Sequence, residues 1–207
     1  LWDLPSGRYL GQDLRADVTA GHDVRATVFV DCRSHYYEEG PVELQRVGET
    51  AFVAAEAATV DSHKAVCDAI VSWADLTQGD RGVDVLHAHI EAGRGRFRGV
   101  RLRAAWHEDT AIHPPGRSEP DMLADARILQ AARRLGAMGL SLDVWVYHSQ
   151  LRDVANFARA CPQTKLILNH CGGPLGIGIY GDRRTDVFAG WLSGMKGLST
   201  CPMGVGK

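Results

Sequence analysis

The 207-residue chain is 45% hydrophobic and 23% charged, with a formal net charge of −2. That is the composition of a globular domain with one sizeable core, and it leaves no electrostatic footprint for nucleic acid or for an anionic membrane surface. No apolar run approaches the ~20 residues of a membrane-spanning helix. Leu1-Trp2-Asp3-Leu4 lacks the basic and apolar regions of a signal peptide. The five cysteines, at 32, 67, 161, 171 and 201, form no C-x-x-C pair. They read as reduced thiols, so a cytoplasmic protein is expected.

Five segments read as strands: Ala26–Asp31, Ala69–Leu76, Phe97–Leu102, Leu140–Tyr147 and Lys165–Asn169. They are mostly short apolar runs rather than clean alternations, which suits strands buried on both faces of a parallel sheet. Between them, apolar residues recur at helical spacing. Examples are Leu44, Val47, Ala51 and Ala55, then Val83, Leu86 and Ile90, then Ile128, Ala132 and Leu135. Leu151, Val154, Ala155 and Ala158 follow, and Phe188, Trp191, Leu192 and Met195 close the series. Gly40-Pro41, Gly139 and Pro162 punctuate these helices.

The expected order is therefore β-α repeated five times in one domain over residues 1–207. That means a parallel sheet with helical crossovers, either a (β/α)8 barrel or a doubly wound sheet. The segment Trp106–Pro120, with three prolines, reads as a long loop after a strand. Residues 1–25 show no strand pattern, and Met203–Lys207 falls where a further strand would begin. Five strands do not close an eight-stranded barrel, so the chain reads as an internal piece of one.

Catalysis in α/β folds sits where strands end and loops begin. His148 and His170 are the two of nine histidines that directly follow inferred buried strands. With one helix between them they would come from neighbouring strands and face the same mouth. Neutral imidazoles there suit a metal or acid/base work. His87-Ala-His89 is a literal H-x-H, but its surroundings are helical, and residues i and i+2 on a helix point apart. His87 is expected to be partly packed. His22, His35, His63, His107 and His113 lie in loops or polar junctions and are expected to face solvent.

Arg101 falls within a strand that otherwise reads as buried. It would clamp a substrate carboxylate or form an internal ion pair, for example with Asp75. Arg183 and Arg184 follow His170 on the next loop and are further candidate anion contacts, as is Tyr147 beside His148 for substrate. Gly176-Ile-Gly178-Ile-Tyr-Gly181 is a literal G-x-G-x-x-G, yet several residues separate it from the strand and no acid-ending strand follows about 20 residues on. A tightly turned loop over the site is expected instead. No G-x-S-x-G elbow exists, and adjacent His170 and Cys171 would point to opposite faces of a strand.

Several pieces together resemble one family. They are Leu1-Trp2-Asp3-Leu4-Pro5, GHDVRATVFVDCRSHYYEEGP (21–41), VGETAFV (47–53), FRGVR (97–101), VYHSQL (146–151) and NHCGGPLGIG (169–178). They are similar to the amidohydrolase-related barrel hydrolases, in the branch holding sugar-lactone and pyrone-dicarboxylate lactonases. The resemblance implies a (β/α)8 TIM barrel, present from about the second to the sixth or seventh strand. It places His148 on the fifth strand and His170 on the sixth as catalytic residues and metal ligands. It also implies a divalent metal, zinc by preference, although some members work without one. The H-x-H of the first strand and the Asp of the eighth have no counterpart in the chain, and Leu102 stands where relatives often carry His.

The implied activity is the opening of a lactone, or a related ester or amide, of a small anionic substrate oriented by Arg101. A decarboxylase on the same barrel, or a catalytically incomplete piece, is the alternative. Assembly as a homo-oligomer is compatible with the sequence.

Overall fold

The computed structural model describes residues 9–60, 65–113, 118–201 and 204–206. Leu1–Pro5, His63, Pro114 and Pro115 lie outside them. Two compact units divide the chain. The first comprises Leu1–Asp75 with Asp80–Gly99, and the second Leu76–Gly79 with Val100–Lys207.

In the first unit, α1 (Gly11–Thr19) precedes β1 (Ala26–Val30), α2 (Val47–Thr59), β2 (Ala65–Ser72), α3 (Asp80–Ala92) and the start of β3 (Phe97–Arg103). In the second, the rest of β3 is followed by α4 (Ala126–Ala137), β4 (Ser141–Trp145), α5 (Leu151–Ala160), β5 (Lys165–Leu168), α6 (Arg184–Ser199) and β6 (Gly204–Gly206). Strand neighbours follow chain order, β1-β2-β3 in the first unit and β3-β4-β5-β6 in the second. The pairs β1–β2, β4–β5 and β5–β6 are parallel. Crossover helices separate β1 to β2, β2 to β3, β3 to β4, β4 to β5 and β5 to β6, the connection that parallel strands require.

All five anticipated strands form. The tail also supplies β6, paired to β5 through Leu166–Gly204 and Leu168–Gly206, where the sequence pattern placed the start of a further strand. β2 begins and ends earlier than its apolar run suggests. A register shift between Ala26 and Val28 marks an irregular start, with Cys67 at φ 47°, so Trp73, Ala74 and Asp75 lie past the strand end. β1 departs from the expectation of strands buried on both faces. Val28 is 47% exposed, because β1 stands first in the order and has β2 as its neighbour among the described strands. Helix α1 carries no apolar stripe, since only Gly11 and Val18 are buried. It is held by polar contacts: Leu10 N–H donates to Asp13 at 2.8 Å, and Gly11 N–H donates to Glu56 of α2 at 3.2 Å.

In the second unit, Leu142, Val144, Val146, Ile128, Leu135, Leu151 and Val154 are all essentially inaccessible. They are apolar positions of β4, the residue after it (Val146), α4 and α5, so their burial is the main stabilising term of that unit. Asp125 starts α4 by accepting the Arg127 N–H at 2.8 Å, as an N-cap acid does. Gly139, at φ 71°, follows its end.

The H-x-H pair is helical as expected, but the roles are reversed. His87 is exposed, and His89 is the buried member. The α3 face that carries Val85, Leu86 and His89 inward turns His87 outward. His89 Nδ1 lies 2.8 Å from Thr50 Oγ1 of α2, and its ring stacks on Phe97 with centroids 5.2 Å apart. Burial is the main cause pushing its pKa down from 6.5 to about 4, so the native ring is neutral. The unfolded chain therefore binds this proton first as pH falls. The stabilising contribution is present above about pH 6.5 and is lost between there and pH 4, about 3 kcal/mol in all. Urea unfolding at pH 7 and pH 4.5 checks this: His89→Leu should show a clearly smaller loss of stability on acidification than the parent protein.

Candidate functional site at the strand ends of the second unit

The C-terminal ends of β4 and β5 carry the two anticipated histidines. β4 alternates, so Asp143, Trp145 and Tyr147 share one side, while Leu142, Val144 and Val146 share the other. His148 opens a short 3-10 turn, His148–Gln150, that leads straight into α5. Gln150 ties the neighbouring strand end in place. Its Oε1 accepts the N–H of Trp106 at 3.0 Å and of Tyr147 at 3.2 Å, and its Nε2 donates to Ala104 O at 2.9 Å.

β5 ends in an unusual turn. His170, Cys171, Gly172 and Gly173 have φ of 49°, 50°, 73° and 53°. Four successive left-handed residues, two of them not glycine, are a strained arrangement. The turn lets the chain pass close over β4. A Cβ on Gly173 would lie 2.3 Å from Val146 O, and one on Gly172 would lie 2.8 Å from a Leu151 methyl carbon. His148 N–H donates to Gly173 O at 3.1 Å, and Trp191 Nε1 donates to Cys171 O at 2.6 Å. Asn169, buried at the head of the turn, donates through Nδ2 to Asp143 Oδ2 at 2.9 Å. Because of this turn, His170 and Cys171 are not successive strand residues.

His148 is half-buried, and its Nδ1 is buried without a hydrogen-bond partner among the described residues. Burial, with a smaller contribution from nearby His107, holds its pKa below the usual histidine range. Its ring meets Tyr180 edge-on at 5.1 Å, and the ring of His107 meets the same tyrosine at 5.6 Å. Asp109 N–H donates to His107 Nδ1 at 3.0 Å. In the neutral ring the proton therefore sits on Nε2, which lies 3.2 Å from Tyr180 Oη and donates to it. That leaves the Tyr180 O–H proton available to another acceptor. His170 is exposed and lies edge-on to Trp145 at 5.8 Å. Ala105, Ile112 and Tyr147, packed with Trp145, Leu175 and Tyr180, form the apolar floor.

The other anticipated residues fall as follows. Arg101 is half-buried within β3. Tyr147 is 8% exposed, its hydroxyl donating to Ile112 O at 3.4 Å. Arg183 is exposed and ion-paired with Asp186 at 3.2 Å at the start of α6. Arg184 opens α6 and lines a cavity of about 460 Å³ with Tyr180, Phe188 and Trp191. The G-x-G-x-x-G stretch is a loop with a 3-10 turn at Gly178–Tyr180, and what it delivers to the site is Tyr180.

Two histidines expected in solvent are not there. His107 is half-buried against Tyr180, and His113 is 5% exposed beside Tyr147, ring centroids 6.3 Å apart. His35 is exposed but stacks on Phe52 at 3.5 Å. The Asp143–Asn169 pair and Tyr180 also escaped the sequence reading. The position of Asp143 within an apolar strand was the available signal, since a carboxylate there needs a partner.

Among the described residues, no three His, Cys, Asp or Glu side chains gather into a set that could hold a metal. Imidazole is a suitable zinc donor, and the orphan Nδ1 of His148 is the kind of atom that a ligand role would satisfy.

A parallel α/β chain with histidines at consecutive strand ends, one of them against a loop-borne tyrosine, has its candidate site where ligands of such folds bind, at the carboxyl ends of the strands. The chain belongs to the amidohydrolase family: the family model described as Amidohydrolase matches residues 2–203. It is 32% identical over 133 residues to the uncharacterized protein y4mH of Sinorhizobium fredii, an alignment covering 64% of this chain and 41% of that protein. Its fold is similar to that of an amidohydrolase from Burkholderia multivorans solved with bound HEPES. That match has a TM-score of 0.65 and 24% identity, and covers 96% of this chain and 58% of the other. A second structure of an amidohydrolase from the same organism, solved with bound zinc, matches at TM-score 0.65 and 22% identity, covering 99% and 62%. The chain thus spans about two-fifths of the curated relative and about three-fifths of the solved ones.

The Gly173 contact is testable. Gly173→Ala combines a left-handed φ with a Cβ against Val146 O. It should destabilise the protein by at least about 1–3 kcal/mol in urea unfolding.

Proposed function

We propose that the full-length protein is a lactonase-like hydrolase of the amidohydrolase superfamily, opening a lactone or a related ester or amide of a small carboxylated substrate. The observation that carries this reading is the pair His148 and His170 at the ends of consecutive parallel strands, joined by the strained 169–173 turn, with Tyr180 against His148. Family membership supports hydrolysis. The lactone is the finer step, resting on the resemblance of VYHSQL and NHCGGPLGIG to that branch. The same resemblance makes the described strands the second to seventh of an eight-stranded barrel.

A divalent metal, zinc as in the similar Burkholderia structure, would be held in part by His148 and His170. Bound there, it would supply Lewis acidity and an activated water. The chain's own residues then have distinct tasks. His148, kept neutral by its burial, and His170 hold or polarise the reacting group. Arg101 orients the substrate carboxylate, with Tyr147 lining the floor and Arg183 and Arg184 as outer anion contacts. Tyr180, whose oxygen accepts from His107, offers its own O–H to the substrate oxygen that gains charge as water adds to the carbonyl. Ring opening breaks the acyl C–O bond, and the departing ring oxygen ends as a hydroxyl carrying a proton that originates from the attacking water.

Screening the full-length enzyme against a lactone panel tests the reading, with the ring-opened acid identified by mass spectrometry. Ring-opened product should appear, and released CO₂ in its place would assign a decarboxylase. On the substrate found, His148→Ala and His170→Ala should each lower turnover at least ~100-fold, and near-normal turnover would overturn their assignment. Tyr180→Phe should lower kcat by about 10²-fold with little change in KM.

A further inference from the structure

In the first unit, Arg46 has no carboxylate partner among the described residues. Arg46 is the residue before α2 and lies half-buried beside the C-terminal ends of β1 and β2. Its guanidinium carbon stands 3.6 Å from the ring centroid of Trp73, the first residue after β2, and 5.1 Å from that of Tyr36, in the loop after β1. Nη1 donates to Tyr36 Oη at 2.9 Å. Two aromatic side chains thus hold the group in place.

Two other arginines of the same unit have acids: Arg25 pairs with Asp23 at 2.9 Å, and Arg96 lies 3.7 Å from Asp68. Arg46 has no carboxylate at ion-pair distance among the described residues. Glu49, the buried acid one turn along α2, directs Oε1 to the N–H groups of Cys32 and Ser34 at 3.1 and 2.8 Å. The indole covers a face of the guanidinium, and one of its five N–H donors goes to Tyr36. In-plane donors therefore remain, the geometry that receives a planar carboxylate through two parallel hydrogen bonds. Ligands of parallel α/β sheets bind at the carboxyl ends of the strands, which is where Tyr36 and Trp73 stand.

We propose that Tyr36, Arg46 and Trp73 form a carboxylate-binding site, with Arg46 as the fork that grips the anion and the two rings as its clamp. The site stands on the first unit alone and does not depend on the lactonase reading.

The test is arginine-selective modification of the full-length protein with phenylglyoxal, followed by peptide mapping. Malonate is the probe, and neutral malonamide at matched ionic strength is the control. Arg46 should react in the control. Malonate should slow that reaction by the factor 1 + [malonate]/Kd, at least tenfold at saturation, while leaving exposed Arg25 unaffected. No reaction of Arg46 in the control, or equal rates with malonate and malonamide, would overturn the site. Tryptophan fluorescence is the second readout, since Trp73 stacks on the anchoring group. Malonate should change it in the parent protein and not in an Arg46→Gln variant whose circular dichroism is native. An unchanged response in that variant would overturn the role of Arg46.

Discussion

The candidate site depends on how closely the chain can pass over the end of β4. The turn after β5 runs through four left-handed residues and lays Gly173 against Val146 O, where a Cβ would have no room. The approach brings the Gly173 carbonyl to the His148 N–H and the Cys171 carbonyl to the Trp191 indole. It sets the backbone of both strand-end histidines at once. His170 and Cys171, which have side chains, carry the strain of that path, and strain of this kind persists where surrounding contacts over-determine it. The Asn169–Asp143 hydrogen bond at the head of the turn and the indole bond beyond it are such contacts.

Around this turn two imidazoles are placed by burial and by a backbone hydrogen bond. His148 is depressed by burial and by a second imidazole nearby. His107 is locked into one tautomer by a backbone N–H, and so points its remaining proton at Tyr180. A tyrosine on a glycine-rich loop then gains a defined donor direction from residues more than 70 positions earlier. His89 in the first unit is also depressed by burial, but its neighbours are Thr50 and Phe97 within a packed interior. Burial alone therefore does not distinguish the two kinds of histidine; position at an open strand end does.

Membership of the amidohydrolase family accounts for the parallel order of the strands. The chain spans about three-fifths of the solved relatives, and within that span it carries two strand-end histidines and two clusters of aromatic side chains around polar groups. One cluster surrounds Tyr180 and His107, the other Arg46. In each, aromatic rings lie against a group that makes a hydrogen bond to a tyrosine hydroxyl.

Apolar period and punctuation made the helices and strands legible, because a residue's tendency to be buried is a local property. They marked β4 and β5 to within two residues, and they placed β6 at the tail. They also marked His148 and His170, since each follows a short apolar run whose length and flanking breakers read as a strand. Burial of His89 rather than His87 depended on which face of α3 meets Phe97 and Thr50. The roles of His107, His113 and Tyr180 depended on long loops folding back across 73 positions in one case. The Asp143–Asn169 bond joins residues 26 apart on neighbouring strands, and the Arg46 clamp joins a helix start to two strand ends. Local pattern determines which segments form and which face they bury. Pairings between distant polar side chains are decided only when packing brings their elements together, because their energy exists only at hydrogen-bond distance.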